Sequence, residues 1–147
     1  MKIKKALFYF LFACGVSLTF LSCENPKSNL GLYVLNYTES DIFFKIYSNN
    51  KSSLTAIPFN EIKMVFNEEI INFDNWSDVL YNIDSCSVYR IENNDTIEQK
   101  TWYCNSNINS IDKNFFSQKE WHLFSDSLSN YSLYFVITEE DLIDLNI

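Results

Sequence analysis

Glycine is almost absent from this chain, with only Gly15 and Gly31 among 147 residues. Dinucleotide-binding fingerprints, phosphate-binding loops and the nucleophile elbow of serine hydrolases each need two or more glycines at fixed, close spacing. The two glycines here are too far apart for any of these motifs. The sequence therefore excludes the commonest nucleotide-binding and esterase signatures.

Histidine is scarcer still, because His122 is the only one. One histidine excludes an HExxH zinc site and any two-histidine metal site within a single chain. A serine triad would have to use His122, and no serine is singled out as its nucleophile, so we favour a structural histidine. Four carboxylates are candidates for paired acid–base chemistry of the glycosidase kind: Glu68, Glu69, Asp74 and Asp78.

A calcium site at Asp74–Asp78 would lack the glycine and the later glutamate of an EF-hand. We therefore predict no catalytic residue, no metal and no cofactor. The predominance of acid, 19 Asp and Glu against 11 Lys and Arg, argues against nucleic acid as a partner. Aromatic residues make up 17% of the chain and suggest a carbohydrate or lipid platform. Since Phe, Tyr, Ile, Asn and Lys are all encoded by AT-rich codons, we favour a compositional explanation.

The first 23 residues have the layout of a secretory signal peptide. Three lysines precede an acid-free apolar run, Ala6–Leu21, and Ser22 stands directly before Cys23. The segment FLSC that ends at Cys23 resembles the lipobox of bacterial lipoproteins. The resemblance implies that Cys23 becomes the first mature residue and carries acyl chains, so that its partner is the membrane.

Two alternatives to lipidation at Cys23 remain open. The segment LFAC offers a second lipobox-like site at Cys14, although cleavage there would leave the apolar tail Val16–Leu21 on the mature chain. The run Ala6–Leu21 could also be a retained anchor, but it is short and interrupted by polar residues. We favour Cys23, which predicts a signal peptide over residues 1–22, a lipidated linker over 23–30 and one domain over 31–147.

Alternation of apolar and polar residues predicts a mainly β (α+β) domain, most simply a single β-sandwich with two or three short helices. Leu32–Tyr37 and Ile42–Tyr47 are predicted to form a hairpin. Ile42, Phe44 and Ile46 would share one face of the second strand, with Phe43, Lys45 and Tyr47 on the other. Further strands are predicted over 54–57, 62–66, 70–73, 85–91, 96–104 and 131–137, and helical turns over 74–81, 112–124 and from Thr138 onward.

Three segments of the mature domain resemble small uncharacterised lipoproteins of Bacteroidota. They are YVLNYTESDIFFKIY, NWSDVL ahead of SVYRIENNDTI, and the closing YFVITEEDLIDLNI. The resemblance implies a lipid-anchored, β-rich domain. It brings no known activity and no site residues.

Cys86 and Cys104 would be the only cysteines left after processing, in an oxidising compartment. A hairpin that turns about Asp95 would place them opposite each other and allow a structural disulfide. The alternative is a pair of free thiols, because a turn at Asn94–Asp95 would shift the register by one residue.

Two triplets, Asp95-Thr96-Ile97 and Asp126-Ser127-Leu128, look like the O-glycosylation signal of exported Bacteroidota proteins, so Thr96 and Ser127 are candidate acceptors. The residues after Cys23 lack both the aspartate of inner-membrane retention and an acidic surface-export signal. We therefore expect the periplasmic face of the outer membrane.

The leading hypothesis for function is a non-enzymatic envelope lipoprotein that acts as a binding or assembly-accessory module for an unknown ligand or protein. The alternatives are a small envelope hydrolase and an immunity or inhibitor protein for an exported toxin. An accessory module predicts an exposed apolar patch or sheet edge. A hydrolase predicts a cleft that joins His122 or two carboxylates, and an immunity protein predicts a concentrated acidic face.

Overall fold

Alternating apolar residues produce extended structure through most of the described chain. A computed structural model describes residues 27–104, 113–127 and 130–142, with side chains described except at 125–127. The strands in these ranges are β1 (Ser28–Tyr37), β2 (Ile42–Ser48), β3 (Lys51–Ile57), β4 (Ile62–Ile70), β5 (Ser85–Glu92), β6 (Asp95–Tyr103), β7 (Trp121–Ser127) and β8 (Asn130–Thr138). Helical structure comprises the 3₁₀ segments Phe73–Asn82 and Gln118–Glu120 and the α-helix α1 (Glu139–Leu142).

The strands form two four-stranded sheets that pack face to face. The first sheet has the order β4-β1-β8-β7 and the second has the order β3-β2-β5-β6. All pairings are antiparallel except β1 with β8, which is parallel. The predicted mainly-β sandwich is confirmed.

The predicted hairpin of the first two strands is wrong, because β1 and β2 belong to different sheets. The chain crosses between the sheets at a corner that is held by the buried side chain of Asn36. Its Nδ2 donates to the carbonyl oxygens of Ser40 (2.8 Å) and Ile57 (2.9 Å), and its Oδ1 accepts from the backbone and hydroxyl of Thr38 (3.1 and 2.8 Å). A buried amide with all of these bonds formed favours one path for the chain.

The core lies between the two sheets and is rich in aromatic rings. The predicted inner face of β2 is confirmed, since Ile42, Phe44 and Ile46 are all buried. Phe115 lies at the centre, with its ring centroid 4.9 Å from Trp121 and 5.4 Å from Phe135. Such edge-to-face contacts add to the burial of apolar area.

The helix predicted over 112–124 is wrong in the described part, which begins at Lys113. Only Gln118–Glu120 makes a 3₁₀ turn, and β7 begins at Trp121, opposite Phe135 of β8. The Trp121 indole also donates to the Phe115 carbonyl oxygen at 2.7 Å. Aromatic residues have weak helix propensity, so burial of these rings against the sheets decides the local structure.

Of three further local predictions, one is wrong and two are confirmed. The predicted strand at 70–73 is wrong, because β4 ends at Ile70 and the 3₁₀ segment begins at Phe73. The helical turns predicted from residue 74 are confirmed, and Asn72 provides their cap by accepting from the Asp74 backbone at 3.1 Å. The helix predicted at Thr138 is confirmed as α1, whose Leu142 is buried against the domain.

The predicted linker is too long by three residues. β1 begins at Ser28, because Leu30 is fully buried and pairs with both neighbouring strands. The predicted signal peptide and Cys23 lie outside the described residues. Within those residues, no helix has the length and hydrophobicity needed to cross a bilayer.

Candidate functional site

The outer face of the second sheet carries a shallow cavity of about 260 Å³. It forms where β2 and β5 pair, because Phe43 lies opposite Tyr89 and both side chains point away from the core. The lining residues are Phe43, Lys45, Leu54, Tyr89, Ile91 and Thr96. The prediction that Phe43, Lys45 and Tyr47 share one face of β2 agrees with this placement.

The apolar part of the cavity is open to solvent at its rim. Leu54 of β3 is 60% exposed and Ile91 of β5 is 56% exposed, while Phe43 is half-buried between them. Aliphatic side chains this exposed on the two strands that flank β2 leave apolar area uncovered on the surface. The arrangement suits the apolar body of a small ligand.

Lys45 supplies a positive charge to the wall of this cavity. Its Nζ lies 4.6 Å from the centroid of the Tyr47 ring, and it forms no ion pair with any described residue. Five other cationic side chains do have an acidic partner: Lys27, Lys63, Arg90, Lys113 and Lys119. Glu98 is close enough to influence Tyr47 but forms no ion pair with Lys45, so this half-buried lysine can accept an anionic group.

A row of hydrogen bonds orders the polar side of the cavity. Burial and a hydrogen bond to Glu98 raise the pKa of Tyr89 to about 12, so its phenol stays neutral. The hydrogen bond with Lys45 lowers the pKa of Tyr47, which also bonds to Tyr89. On the same two strands, β5 and β6, the hydroxyls of Ser87 and Thr101 share a hydrogen bond of 2.6 Å. The polar groups therefore point in set directions.

The two candidate O-glycosylation residues lie in different places. Thr96 is exposed near the start of β6 and lines the cavity, so a glycan there would lie across its mouth. Ser127 is the last residue of β7, and its side chain lies outside the described set. Glycosylation of either residue stays a prediction.

The predicted disulfide between Cys86 and Cys104 is wrong, since both are free thiols in this structure. The hairpin turns on Asn93 and Asn94, both with positive φ, and a bulge between Val88 and Tyr89 shifts the rest of the ladder. Cys86 therefore lies opposite Trp102. Burial raises the pKa of both thiols, that of Cys86 strongly, which keeps them protonated and unreactive.

His122 and the candidate carboxylates do not come together. His122 is exposed on β7, with its ring 5.2 Å from that of Tyr134, whereas Glu68 and Glu69 lie on β4 at the opposite edge of the same sheet. Three strand spacings separate these edges, or about 14 Å. Glu69 pairs with Lys27 at 3.1 Å instead.

Asp74 and Asp78 lie on the exposed 3₁₀ segment that follows β4. The described residues contain no group of three potential metal ligands. No acid–base pair or metal centre is therefore assembled from the predicted candidates.

The sequence alone did not identify the cavity, because its walls come from four strands. Alternation placed Phe43 and Lys45 on one face of β2, but Leu54, Ile91 and Thr96 join them only through strand pairing. The chain matches no protein family model, and no curated protein and no solved structure matches it either. The cavity is therefore interpreted from its own chemistry.

Proposed function

We propose that this protein is a lipid-anchored, non-enzymatic binding module of the bacterial cell envelope. Its ligand is a small amphiphile with an apolar body and one anionic group. The observation that carries the proposal is Lys45, which forms no ion pair with a described residue and lies on the wall of a mostly apolar cavity. Phe43, Leu54 and Ile91 would hold the body of the ligand, and the Lys45 ammonium would bind its anionic group.

The anchor in this proposal is the acylated Cys23, at the periplasmic face of the outer membrane. Residues 24–27 separate Cys23 from the start of β1 and span at most about 14 Å. Each buried methylene of an acyl chain contributes about 0.8 kcal/mol, so two or more chains form a stable anchor. Cys23→Ala should therefore release the protein from membranes and abolish incorporation of labelled palmitate. A variant that stays in the membrane fraction, with no label in either form, would contradict the lipobox interpretation.

The ligand site can be tested with anilinonaphthalene sulfonate, a fluorescent aromatic anion that has the proposed chemistry. The protein lacking residues 1–23 keeps every described contact and is suitable for titration. We expect Lys45→Gln to weaken binding about five- to tenfold, since it removes one charge-assisted contact. Phe43→Ser should weaken binding by a similar factor through lost apolar area.

Lys63→Gln is the matched control, because it removes an equal charge from β4, where Lys63 pairs with Glu61 at 2.6 Å. Binding to this variant should stay within about twofold of the parent protein, the change expected when a distant charge is removed. If all three variants bind the probe equally, the cavity is not the site and the proposal fails.

One observation favours a second candidate, the immunity or inhibitor protein. Four carboxylates lie in the segments that follow β1 and β8, at Glu39, Asp41, Glu139 and Glu140, and among the described residues only Glu139 of these four has a basic ion-pair partner, Arg90. An acidic end of this kind would attract a basic toxin. Neutralising Glu39 and Glu140 together should then slow association with a toxin encoded beside this gene. The separation of His122 from the carboxylates gives the hydrolase alternative no comparable support.

A further inference from the structure

Three of the four edge strands carry features that discourage pairing with another chain. A bulge inserts one extra residue into each of them: Val65 in β4, Gln99 in β6 and Phe124 in β7. Each of these strands also contains at least one acidic residue. Bulges and charges are the usual means by which edge strands avoid pairing with other proteins.

The fourth edge strand, β3, has neither protection. Its pairing with β2 runs without a register shift from Lys51 to Ile57, and the strand contains no acid and no proline. Its only charged residue is Lys51 at the beginning. An edge that is regular and nearly uncharged is a template for another strand.

The backbone geometry identifies which groups of β3 face outward. Asn49 and Asn50 form a two-residue turn, both with positive φ, so Ser48 and Lys51 are the hydrogen-bonded pair that closes the hairpin. Hydrogen-bonded and non-hydrogen-bonded pairs alternate from that point. The N–H and C=O groups of Ser52, Leu54 and Ala56 therefore point away from β2, to the open side of the sheet.

A cleft of about 480 Å³ opens beside this edge, between β3 and β4. Its floor is apolar and includes Ile46, Val65 and Phe66, and Ser53 and Asn67 stand at its rim. Val65 points into the sandwich because the β4 bulge inserts it there. Every second side chain of a strand added to β3 would project toward this cleft.

Lys51, at the entrance to the same cleft, forms no ion pair with a described residue. Asp84 lines a separate small cavity together with Lys51, but its carboxylate accepts from the Asn49 backbone at 3.1 Å and forms no ion pair with Lys51. Lys51 is thus available to a carboxylate at the end of an added strand.

From these observations we infer that β3 binds an extended peptide strand of a partner protein. The strand pairs through the outward groups of Ser52, Leu54 and Ala56. It places an apolar side chain in the cleft and an acidic side chain on Lys51. Backbone pairing supplies affinity and the cleft supplies selectivity, as in other cases of strand addition to a sheet edge.

The charge of this edge favours a partner strand over a second copy of this chain. Two β3 strands could pair antiparallel about Leu54, but β3 contains no acidic residue, so a second copy would bring no carboxylate to Lys51. A partner strand that ends in an acidic residue would bring one.

The test uses the full-length lipidated protein in nanodiscs and a labelled, end-capped octapeptide in which valine alternates with threonine between terminal glutamates. Fluorescence anisotropy should give a dissociation constant of roughly 10–100 µM, as expected for a small interface. Ala56→Pro removes one outward N–H and leaves the β2 ladder intact, because proline is tolerated on the open side of an edge strand. It should weaken binding at least tenfold, whereas Ala56→Thr keeps the N–H and should bind within twofold.

Two further measurements locate the peptide independently of these variants. Amide hydrogen exchange at Ser52, Leu54 and Ala56 should slow when peptide is added, while Ser53 and Thr55, which already bond to β2, should not change. Lys51→Gln should weaken binding several-fold, and a peptide with glutamine in place of glutamate should remove that difference.

Equal binding by Ala56→Pro and Ala56→Thr, or protection at β4, β6 or β7 instead of β3, would overturn the inference. So would sedimentation showing that the protein dimerises through β3 and binds no peptide, since a second copy would then occupy the edge.

Discussion

The outer faces of the two sheets are both aromatic, but they use their rings differently. On the first sheet, the Phe124 ring contacts both Tyr33 and Tyr134, at centroid separations of 6.0 and 6.2 Å respectively. Tyr33 also lies over Gly31, where a Cβ would come within 2.8 Å of the ring. On the second sheet, Phe43 and Tyr89 stand beside a cavity. Aromatic content therefore does not identify a binding face, and the proposed site is distinguished by its cavity and by a lysine that forms no ion pair with a described residue.

The largest effect that would test this comparison is the loss of stability from two matched truncations. Tyr33→Ala removes a half-buried ring that covers its neighbours and should lower the free energy of unfolding by about 2 kcal/mol. Leu54→Ala trims a mostly exposed side chain on the open face and should cost less than about 0.5 kcal/mol. Urea unfolding measures both. Equal losses would mean that the two faces do not differ in packing.

A smaller effect is expected from an ion pair that connects the two sheets. Arg90 on β5 of the second sheet bonds Glu139, which follows β8 of the first sheet, at 2.6 and 2.7 Å. The hydrogen bonds to Arg90 lower the Glu139 pKa from 4.5 to about 2. Because the folded-state pKa is below the unfolded one, this stabilisation is complete above about pH 4.5 and is lost as the pH falls toward 2.

The Glu139 side chain is 34% exposed, so solvent screening reduces its contribution to about 1–2 kcal/mol. Glu139→Gln should lower the free energy of unfolding by that amount at pH 7 and by much less at pH 2.5, as measured by urea unfolding at both pH values. Glu61→Gln is the control, since its exposed pair with Lys63 should contribute less than about 0.5 kcal/mol. A deficit of Glu139→Gln that is unchanged at pH 2.5 would contradict the assignment.

The smallest expected change in stability comes from the close approach of the Tyr33 ring to Gly31. Gly31 has no positive φ, so the position requires glycine for space and not for conformation. Gly31→Ala should cost about 1 kcal/mol or less, because the Tyr33 ring must move aside. In a Tyr33→Ala background the same change should be neutral or stabilising, since alanine reduces the entropy of the unfolded chain. Thermal unfolding of the four variants would show whether the sign reverses.

Local sequence patterns correctly predicted those strands and helices whose conformation depends mainly on residues nearby in the chain. The alternation in β2 correctly divided Ile42, Phe44 and Ile46 from Phe43, Lys45 and Tyr47, because a strand buried on one face has a period of two. The acidic turn after Thr138 correctly predicted a short helix. In the region of Phe115 and Trp121, the same type of argument failed, since the apolar stripe there faces a core built from distant strands.

The candidate site was predictable only in part, for the same reason. Lys45 could be placed on the same face as Phe43, but which described side chains surround it depends on how β2 pairs with β3 and β5. The cysteine pairing failed because the hairpin turns at Asn93 and Asn94 instead of about Asp95, so that Cys86 lies opposite Trp102 even after the bulge at Val88 and Tyr89. Register errors of one residue change which side chains meet across a hairpin.

By itself, the sequence determined the fold class and the division of β2 into two faces, because both follow from short-range periodicity. It also excluded glycine-dependent and histidine-dependent chemistry, because this follows from residue counts. Only the tertiary structure decided that β1 and β2 separate into different sheets, that Lys45 lies beside a cavity and that β3 is the unprotected edge. Each of these depends on pairings between residues distant in the chain. The free energy of such pairings comes from burial that no local window of sequence contains.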